Sequence, residues 1–398
     1  MKIAIVAGFF PKISETFVLD HITGMIDLGH DVCIVADAPA DERTAHPSIA
    51  QYDLEERVIY TDQIVPKNRF KRFCLGFYFI LSNIFIQPGR ILNALNFFKY
   101  GKKAASLTYL FYYKFFKSMD IIHCHFGTTA DYWICLKDVL VESKFFVTFH
   151  GSDIRKGFQR GVSYYHDVFN RADGVISISD FNTKGLIELG CPEAKIINLP
   201  NGIDLDKFQP KPRKNTSNFT LTTVARLVEE KNLFYALQIV KRLNETTPKK
   251  FSYRIIGDGP LKENLSQMIK IYGLEGMVKL LGGQSQQKII EYLNETDVFL
   301  LPSRHEAFCV ALLEAQAMEV PVVACDVGGV ASAMVDQETG CLIPLNDTDY
   351  AIKVIDQLFD DKVLRNRMGK DGRHFVEQNF DIRNINRKLE QIYSRMGR

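Results

Sequence analysis

Two carboxylates, Glu306 and Glu314, stand eight residues apart in SRHEAFCVALLEAQAMEVPVVA, residues 303–324. Good helix formers run from near Cys309 to near Met318, so Glu306 falls just before a predicted helix and Glu314 more than one turn inside it. Were the whole span helical, the two would lie about 12 Å apart along the axis. A hydrolytic acid–base pair needs roughly 5–9.5 Å. The two carboxylates therefore suit gripping two ends of one long ligand. The first turn of that helix, around Phe308, Cys309 and Val310, offers backbone N–H groups with no partner inside the helix, and the dipole favours an anionic or hydroxyl-rich ligand there.

Positive charge stands upstream, where Arg226 and Lys231 lie in VARLVEEKN directly after an apolar run. A diphosphate leaving group needs such charge where its bond breaks. Arginine forks onto two phosphate oxygens and lysine acts as a compact point charge. The plainer reading is two surface cations balanced by Glu229 and Glu230. Gly257, Asp258 and Gly259, in IIGDGPL, predict a tight turn into a helix whose glycines admit close approach of a ligand to the backbone. No G-K-S/T follows, so this is not a Walker A loop. His150, in HGSD after FFVTF, could hydrogen-bond a sugar hydroxyl or a phosphate, and Asp153 could orient that histidine or an acceptor hydroxyl. Ser14, in SETF, is a plausible N-cap of the first helix. Capping does not account for Glu15, which leaves it open to a role on the acceptor or phosphate edge.

These residues need strand ends to hold them. Apolar runs that read as strands fall at 2–7, 31–36, 121–123, 145–149, 174–178 and 195–199, and the pattern restarts at 220–224, 252–256, 278–281, 298–301, 320–324 and 341–343. Strands alternating with amphipathic stretches predict an α/β chain with two doubly wound, Rossmann-like parallel sheets, spanning 1–207 and 208–381, with the polar, Pro-bearing stretch 209–218 as linker. A last helix is expected from residue 382. Open α/β sheets bind ligands beyond the carboxyl ends of their strands. Gly8, His150, Arg226, Gly257–Gly259 and Glu306 all fall at such ends.

The chain of 398 residues is 46% hydrophobic and 24% charged with a net charge of +2, ordinary for a globular protein of two or three domains. Eight scattered cysteines without a C-x-x-C pair suit a reducing cytoplasm. The opening MKIAIVAGFFP lacks a cleavage site and reads as a strand rather than a signal peptide. The longest uncharged apolar run, 73–86, is shorter than the roughly 18 residues a spanning helix needs. Residues 64–119 carry ten Lys or Arg, no Asp or Glu, and many aromatics. That mixture predicts contact with an anionic membrane surface. The alternatives are single-stranded nucleic acid, which is not expected, and ordinary buried helices with a basic edge.

The ordered set of R-x4-K, G-D-G and E-x7-E, with HG and SETF ahead of it, resembles retaining GT-B glycosyltransferases of family 4, in particular bacterial exopolysaccharide and lipopolysaccharide transferases of the colanic-acid type. The resemblance covers nearly the whole chain. It implies a reaction centre in the cleft between two domains, with the last helix (382–398) packed back on the first. It implies that Arg226 and Lys231 bind the donor diphosphate, that Glu306 and the 308–310 amides orient the sugar, and that Glu314 holds the ribose. The glycine turn would lie beside the nucleotide and His150 near the donor sugar, with the leaving phosphate itself taking the acceptor proton. The relatives' Gly-rich first loop is reduced here to Gly8. The implied reaction moves a hexose from a UDP- or GDP-sugar to a growing, lipid-linked glycan, with retention and with neither cofactor nor metal, at the inner face of the cytoplasmic membrane. Rival readings are an epimerase or phosphorylase on the same fold, or a non-catalytic adaptor. His123 and His125 share a strand face but lack a third metal ligand. Asp204 and Asp206 form D-x-D by chance, and Cys309 has no histidine near it in sequence to activate it.

Overall fold

The computed structural model describes residues 1–12, 15–40, 46–96, 98, 107–138, 140, 142–212, 218–247 and 249–396. The chain divides into two compact units. The first comprises Met1–Ile178, Asn182–Leu199 and Arg383–Arg398, and the second Ser179–Phe181 and Pro200–Ile382.

In the first unit a seven-stranded sheet runs in the order β3-β2-β1-β4-β5-β6-β7. Its strands are β1 (Lys2–Phe9), β2 (Asp31–Ala38), β3 (Val58–Tyr60), β4 (Ile121–His125), β5 (Lys144–Phe149), β6 (Gly174–Ser177) and β7 (Ile196–Asn198). Every pairing is parallel. Ile3 to Ala7 are all buried, because helices cover both faces and the strand is apolar throughout instead of alternating. β3 went unread in the sequence. It is a three-residue edge strand between charged segments, too short to show a period.

The second unit holds a six-stranded parallel sheet, ordered β10-β9-β8-β11-β12-β13. Its strands are β8 (Phe219–Val224), β9 (Phe251–Ile256), β10 (Val278–Leu280), β11 (Val298–Leu301), β12 (Val322–Cys325) and β13 (Gly340–Ile343). Strand order reverses between β8 and β11, and such a switch point opens a crevice beyond the strand ends. Arg226 follows β8 and Glu306 follows β11, so the topology itself brings them to that crevice. The helix Val310–Ala317 carries apolar residues on every face, with Glu314 and Gln316 among them, and is largely buried. It packs on the helix Lys362–Asn379 where Gly369 and Gly372 leave room for the Glu319 backbone and the Gln316 side chain. The Arg373 guanidinium donates to the Ala317 carbonyl at its C-terminal end.

Apart from Ser179–Phe181, the second unit begins at Pro200. Ile203 bridges to Asp381, its amide donates to the Phe380 carbonyl, and the Ile382 amide returns to the Ile203 carbonyl. Phe208 is buried, with Arg373 bound to its carbonyl. The expected linker is likewise tied down at Lys211, whose amide donates to Asn294. Residues 213–217 lie outside the described residues. The last helix, Ile382–Met396, belongs from Arg383 onward to the first unit, where Asn386 donates to the Asp20 carbonyl and Tyr393 is fully buried.

Candidate active site

In the second unit Lys231 Nζ lies 2.6 Å from Glu306 Oε1, with both side chains largely buried. Ser303 Oγ donates to the same oxygen at 2.7 Å. Burial works against the Lys231 charge, but the neighbouring Glu306 carboxylate outweighs it and holds the pKa above the ordinary lysine value. Arg226 acts on Lys231 as a like charge, is itself exposed, and makes no ion pair among the described residues. In the plainer reading Glu229 and Glu230 balance both cations; Lys231 instead pairs with Glu306, a partner that sequence distance hides. The two expected roles, lysine on phosphate and Glu306 on sugar, begin as one ion pair.

Glu306 is held from its backbone as well. The Gly329 amide donates to the Glu306 carbonyl at 2.8 Å. A Cβ on Gly328, whose φ is +56°, would strike that carbonyl, and one on Gly329 would strike the Ala307 carbonyl. Ser179 Oγ donates to the Ala307 carbonyl at 2.6 Å. Neither Ser179 nor the Gly328–Gly329 pair stood out in the sequence, although the glycine pair just after β12 was a readable turn signal. Cys309 is the N-cap of Val310–Ala317 and Met318 its C-cap, as the composition predicts. Glu306 lies outside that helix and Glu314 at its fifth residue, so the span between the carboxylates is only partly helical. Phe308 and Cys309 are buried. Burial, followed by the Glu306 charge, pushes the Cys309 thiol up to about 12, which removes it as a nucleophile.

Gly257 and Gly259 are glycines for a backbone reason. At φ +144° and +156° they face protein backbone. A Cβ on Gly257 would meet the Ala225 carbonyl, and one on Gly259 the Leu227 backbone. Leu227 donates to the Asp258 carbonyl and Leu261 to the Leu227 carbonyl, so the turn braces the loop that carries Arg226. The Asp258 carboxylate accepts from the Gly259 amide and pairs with Lys262. Asp204 Oδ1 accepts from the amides of Asp206 and Lys207, which makes the D-x-D a turn.

In the first unit, at the end of β5, the Asp153 carboxylate is buried and accepts backbone N–H groups from Gly127, His150, Gly151 and Ile154. Burial dominates and raises its pKa, while the Gly127, His150 and Ile154 amides pull the other way. These bonds shape the turn that carries His150. Phe17 stacks on the His150 ring at 4.2 Å. Phe17 and His21 lie one turn apart on the helix Thr16–Asp27. His21 is the third histidine that His123 and His125 lacked in the sequence. One nitrogen from each of the three falls within 4.8 Å of the others. Glu15, the N-cap of this helix, pairs with Lys12. Ser14 lies outside the described residues. Gly8, at the end of β1, has open space where a Cβ would stand.

Comparison with known proteins agrees with this geometry. The chain superposes on the UDP complex of Anabaena Alr3699/HepE with a TM-score of 0.77 at 17% identity, over 99% of this chain and 100% of that one. The lipopolysaccharide outer core galactosyltransferase WaaB gives 0.66 at 17%, over 99% and 100%. Two parallel sheets of this kind define the GT-B architecture. The family described as Glycosyltransferase Family 4 matches residues 14–207, and Glycosyl transferases group 1 matches 204–375. The WcaL glycosyltransferase of Escherichia coli K12, named for colanic acid biosynthesis, is 30% identical over 98% of this chain and 99% of its own. The amylovoran biosynthesis glycosyltransferase AmsK of Erwinia amylovora is 30% identical over the full length of both. The chain belongs to this family of GT-B glycosyltransferases.

Proposed function

We propose that the protein moves a hexose from a UDP- or GDP-sugar to a growing, lipid-linked bacterial polysaccharide, with retention at the anomeric carbon. The observation that carries the reading is the Lys231–Glu306 pair beside exposed Arg226, at the switch point of the second sheet. Arg226 forks onto the diphosphate and Lys231 swings its charge between Glu306 and the leaving oxygen. Glu306, freed in turn, takes a sugar hydroxyl, the 308–310 amides orient the sugar, and Glu314 takes the ribose. Two fixed cations supply the charge that a divalent ion would otherwise bring, so no metal is needed. Gly8 and His150 face the donor and Glu15 the acceptor. Relatives whose names state polysaccharide biosynthesis or transfer to a diphosphoundecaprenol-linked sugar support the choice of acceptor.

The enzyme works against the inner face of the cytoplasmic membrane. Residues 64–119 split into two parts. Most of Thr108–Phe116 is buried, with Lys114 on the exposed edge, as an ordinary core helix would be. Arg69–Asn83 instead exposes Phe70, Phe73, Phe77 and Leu81 along one stripe, with Lys67, Arg69 and Lys71 beside it and Phe85 beyond its end. Aromatic side chains flanked by cations and no carboxylate within the segment match an anionic lipid surface. Among the described residues no helix is long and apolar enough to cross a membrane. Phe97, Lys99, Lys102 and Lys103 of the same stretch lie outside those residues.

The test is incubation with UDP- and GDP-sugars and lipid-linked glycan acceptors, followed by mass spectrometry and determination of the new anomeric linkage. An acceptor that gains one hexose with the donor's configuration supports the proposal. Interconversion of free nucleotide sugars without transfer returns the epimerase reading, and tight binding without turnover the adaptor.

A further inference from the structure

The buried histidines of the first unit form one hydrogen-bonded chain. Thr148 Oγ1 lies 2.7 Å from His123 Nε2, and His123 Nδ1 meets the Tyr393 hydroxyl. That hydroxyl lies 3.0 Å from His21 Nε2. His21 Nδ1 is 2.9 Å from His125 Nε2, and His125 Nδ1 is 3.0 Å from His150 Nε2. At the far end His150 Nδ1 is buried without a partner.

The direction of these bonds follows from counting protons. Burial, followed in most of them by the neighbouring rings, drives all four imidazoles to lower pKa, so each is neutral and carries a single N–H. The hydroxyls of Thr148 and Tyr393 carry one proton each. Three arrangements give every link a donor. If every bond runs toward Thr148, His150 donates from Nε2, and the Thr148 hydroxyl proton has no acceptor among the described residues. If His123 and His21 both donate to the Tyr393 oxygen, the Tyr393 proton is left over, and His150 again donates from Nε2. If every bond runs toward His150, Thr148 donates to His123, His123 to Tyr393, Tyr393 to His21, His21 to His125 and His125 to His150. The only group left over is then an N–H on His150 Nδ1. The first two arrangements each strand two buried polar groups and the third strands one, and a buried unpaired group is costly.

We propose that Thr148, His123, Tyr393, His21 and His125 are positioning residues that fix His150 as its Nδ1–H tautomer, so that it presents a neutral hydrogen-bond donor to an oxygen of the bound sugar nucleotide. The inference rests on the reading that His150 faces the donor substrate. The tautomer is measured without any substrate. The same nitrogens could instead surround a metal ion, but His21, His123 and His125 each already use both ring nitrogens in the chain.

Long-range ¹H–¹⁵N correlation spectra of the histidine-labelled protein at neutral pH read the tautomers directly. His150 should show a pyrrole-type Nδ1 and a pyridine-type Nε2. The reverse pattern, or stoichiometric zinc in the purified protein, overturns the proposal. Thr148→Val removes the proton that polarises the chain, and Thr148→Ser keeps it. The valine variant should show mixed tautomers at His150 and a roughly tenfold fall in turnover, the worth of one aimed hydrogen bond. Affinity for bare UDP or GDP should not change. The serine variant should restore the single tautomer and most of the turnover. Tyr393→Phe, which keeps the buried ring and breaks the middle link, should behave as Thr148→Val does. A valine variant that keeps the single tautomer, or a serine variant no better than valine, refutes the relay. Correct tautomers with no sugar transfer would leave the relay standing and refute the assigned substrate instead.

Discussion

The two units treat buried polarity in opposite ways. In the second, charge is retained. Lys231 and Glu306 are both largely buried, each ionised against the other, with Ser303 fixing the carboxylate. Among the histidines of the first unit charge is expelled, and the imidazoles of His21, His123, His125 and His150 are held neutral by burial, reinforced in most of them by the neighbouring rings. A buried ion pair is a store of charge that a ligand can recruit by displacing one partner. A neutral chain of hydrogen bonds stores only direction. The first suits a diphosphate that gains charge as its bond breaks, the second a sugar oxygen that must be held in place.

The contrast breaks most visibly at Lys231. Lys231→Ala should lower turnover about 100–1,000-fold, the usual cost of a preorganised donor to developing charge. It also leaves the Glu306 carboxylate buried and alone, which typically costs ~3–5 kcal/mol of stability. The double variant Lys231→Met with Glu306→Gln should regain most of that stability without regaining activity. Thermal unfolding beside a transfer assay separates the two effects. Arg226→Ala, at an exposed position, should lose comparable turnover with little change in melting temperature.

Acid should act on the first unit before the second. His125 has its pKa lowered to about 3 in the folded protein, and the unfolded chain binds the proton near the ordinary 6.5. Between those values the unfolded state holds more protons, so stability falls as pH falls from about 6.5 toward 3. Each such histidine contributes up to about 1.4 kcal/mol per pH unit. Melting temperatures measured from pH 7.5 to 4.5 should decline once below 6.5. A flat profile across that range would show that the chain is already charged.

Glu306 and Glu314 sharpen the picture of the second unit. Glu314→Gln should weaken bare UDP or GDP binding by roughly tenfold, one charge-assisted hydrogen bond. Glu306→Gln should spare bare nucleotide and blur discrimination among donor sugars. Equal losses of nucleotide affinity would contradict the separate roles. The smallest effect on the reaction itself is expected at the surface. Replacing Lys67, Lys71 and Arg72 by Ser should release the protein from anionic vesicles, at about 1 kcal/mol per residue at low salt. Nucleotide affinity should not move. Wild type that fails to sediment with anionic vesicles removes the membrane from the account.

The sequence made plain whatever local pattern determines. Twelve of the strands in the two sheets match apolar runs, and the helix after Glu306 begins at Val310, with Cys309 as its N-cap, close to where its composition suggests. The residues of the two sites were visible at strand ends as well. Their partners were not, because they come from distant chain. Lys231 and Glu306 are 75 positions apart, and His123 and Tyr393 are 270 apart. No periodicity links such positions. Glycines were legible as turns but not in what they face. A Cβ on Gly257 or Gly259 would meet the backbone of Ala225 or Leu227, a contact that no local pattern announces. The exposed stripe Phe70–Phe73–Phe77–Leu81 and the buried Thr108–Phe116 share one composition, and only packing tells them apart.

The central claim is that Arg226 and Lys231 exist to hold a diphosphate. Calorimetric titration of wild type and Arg226→Ala with nucleoside diphosphate and monophosphate of the preferred base tests it directly. Wild type should bind the diphosphate at least about tenfold more tightly, since the second phosphate meets a forked, charge-assisted contact. Arg226→Ala should bind the two nearly alike. Equal affinities in wild type, or an undiminished preference in Arg226→Ala, would contradict the account.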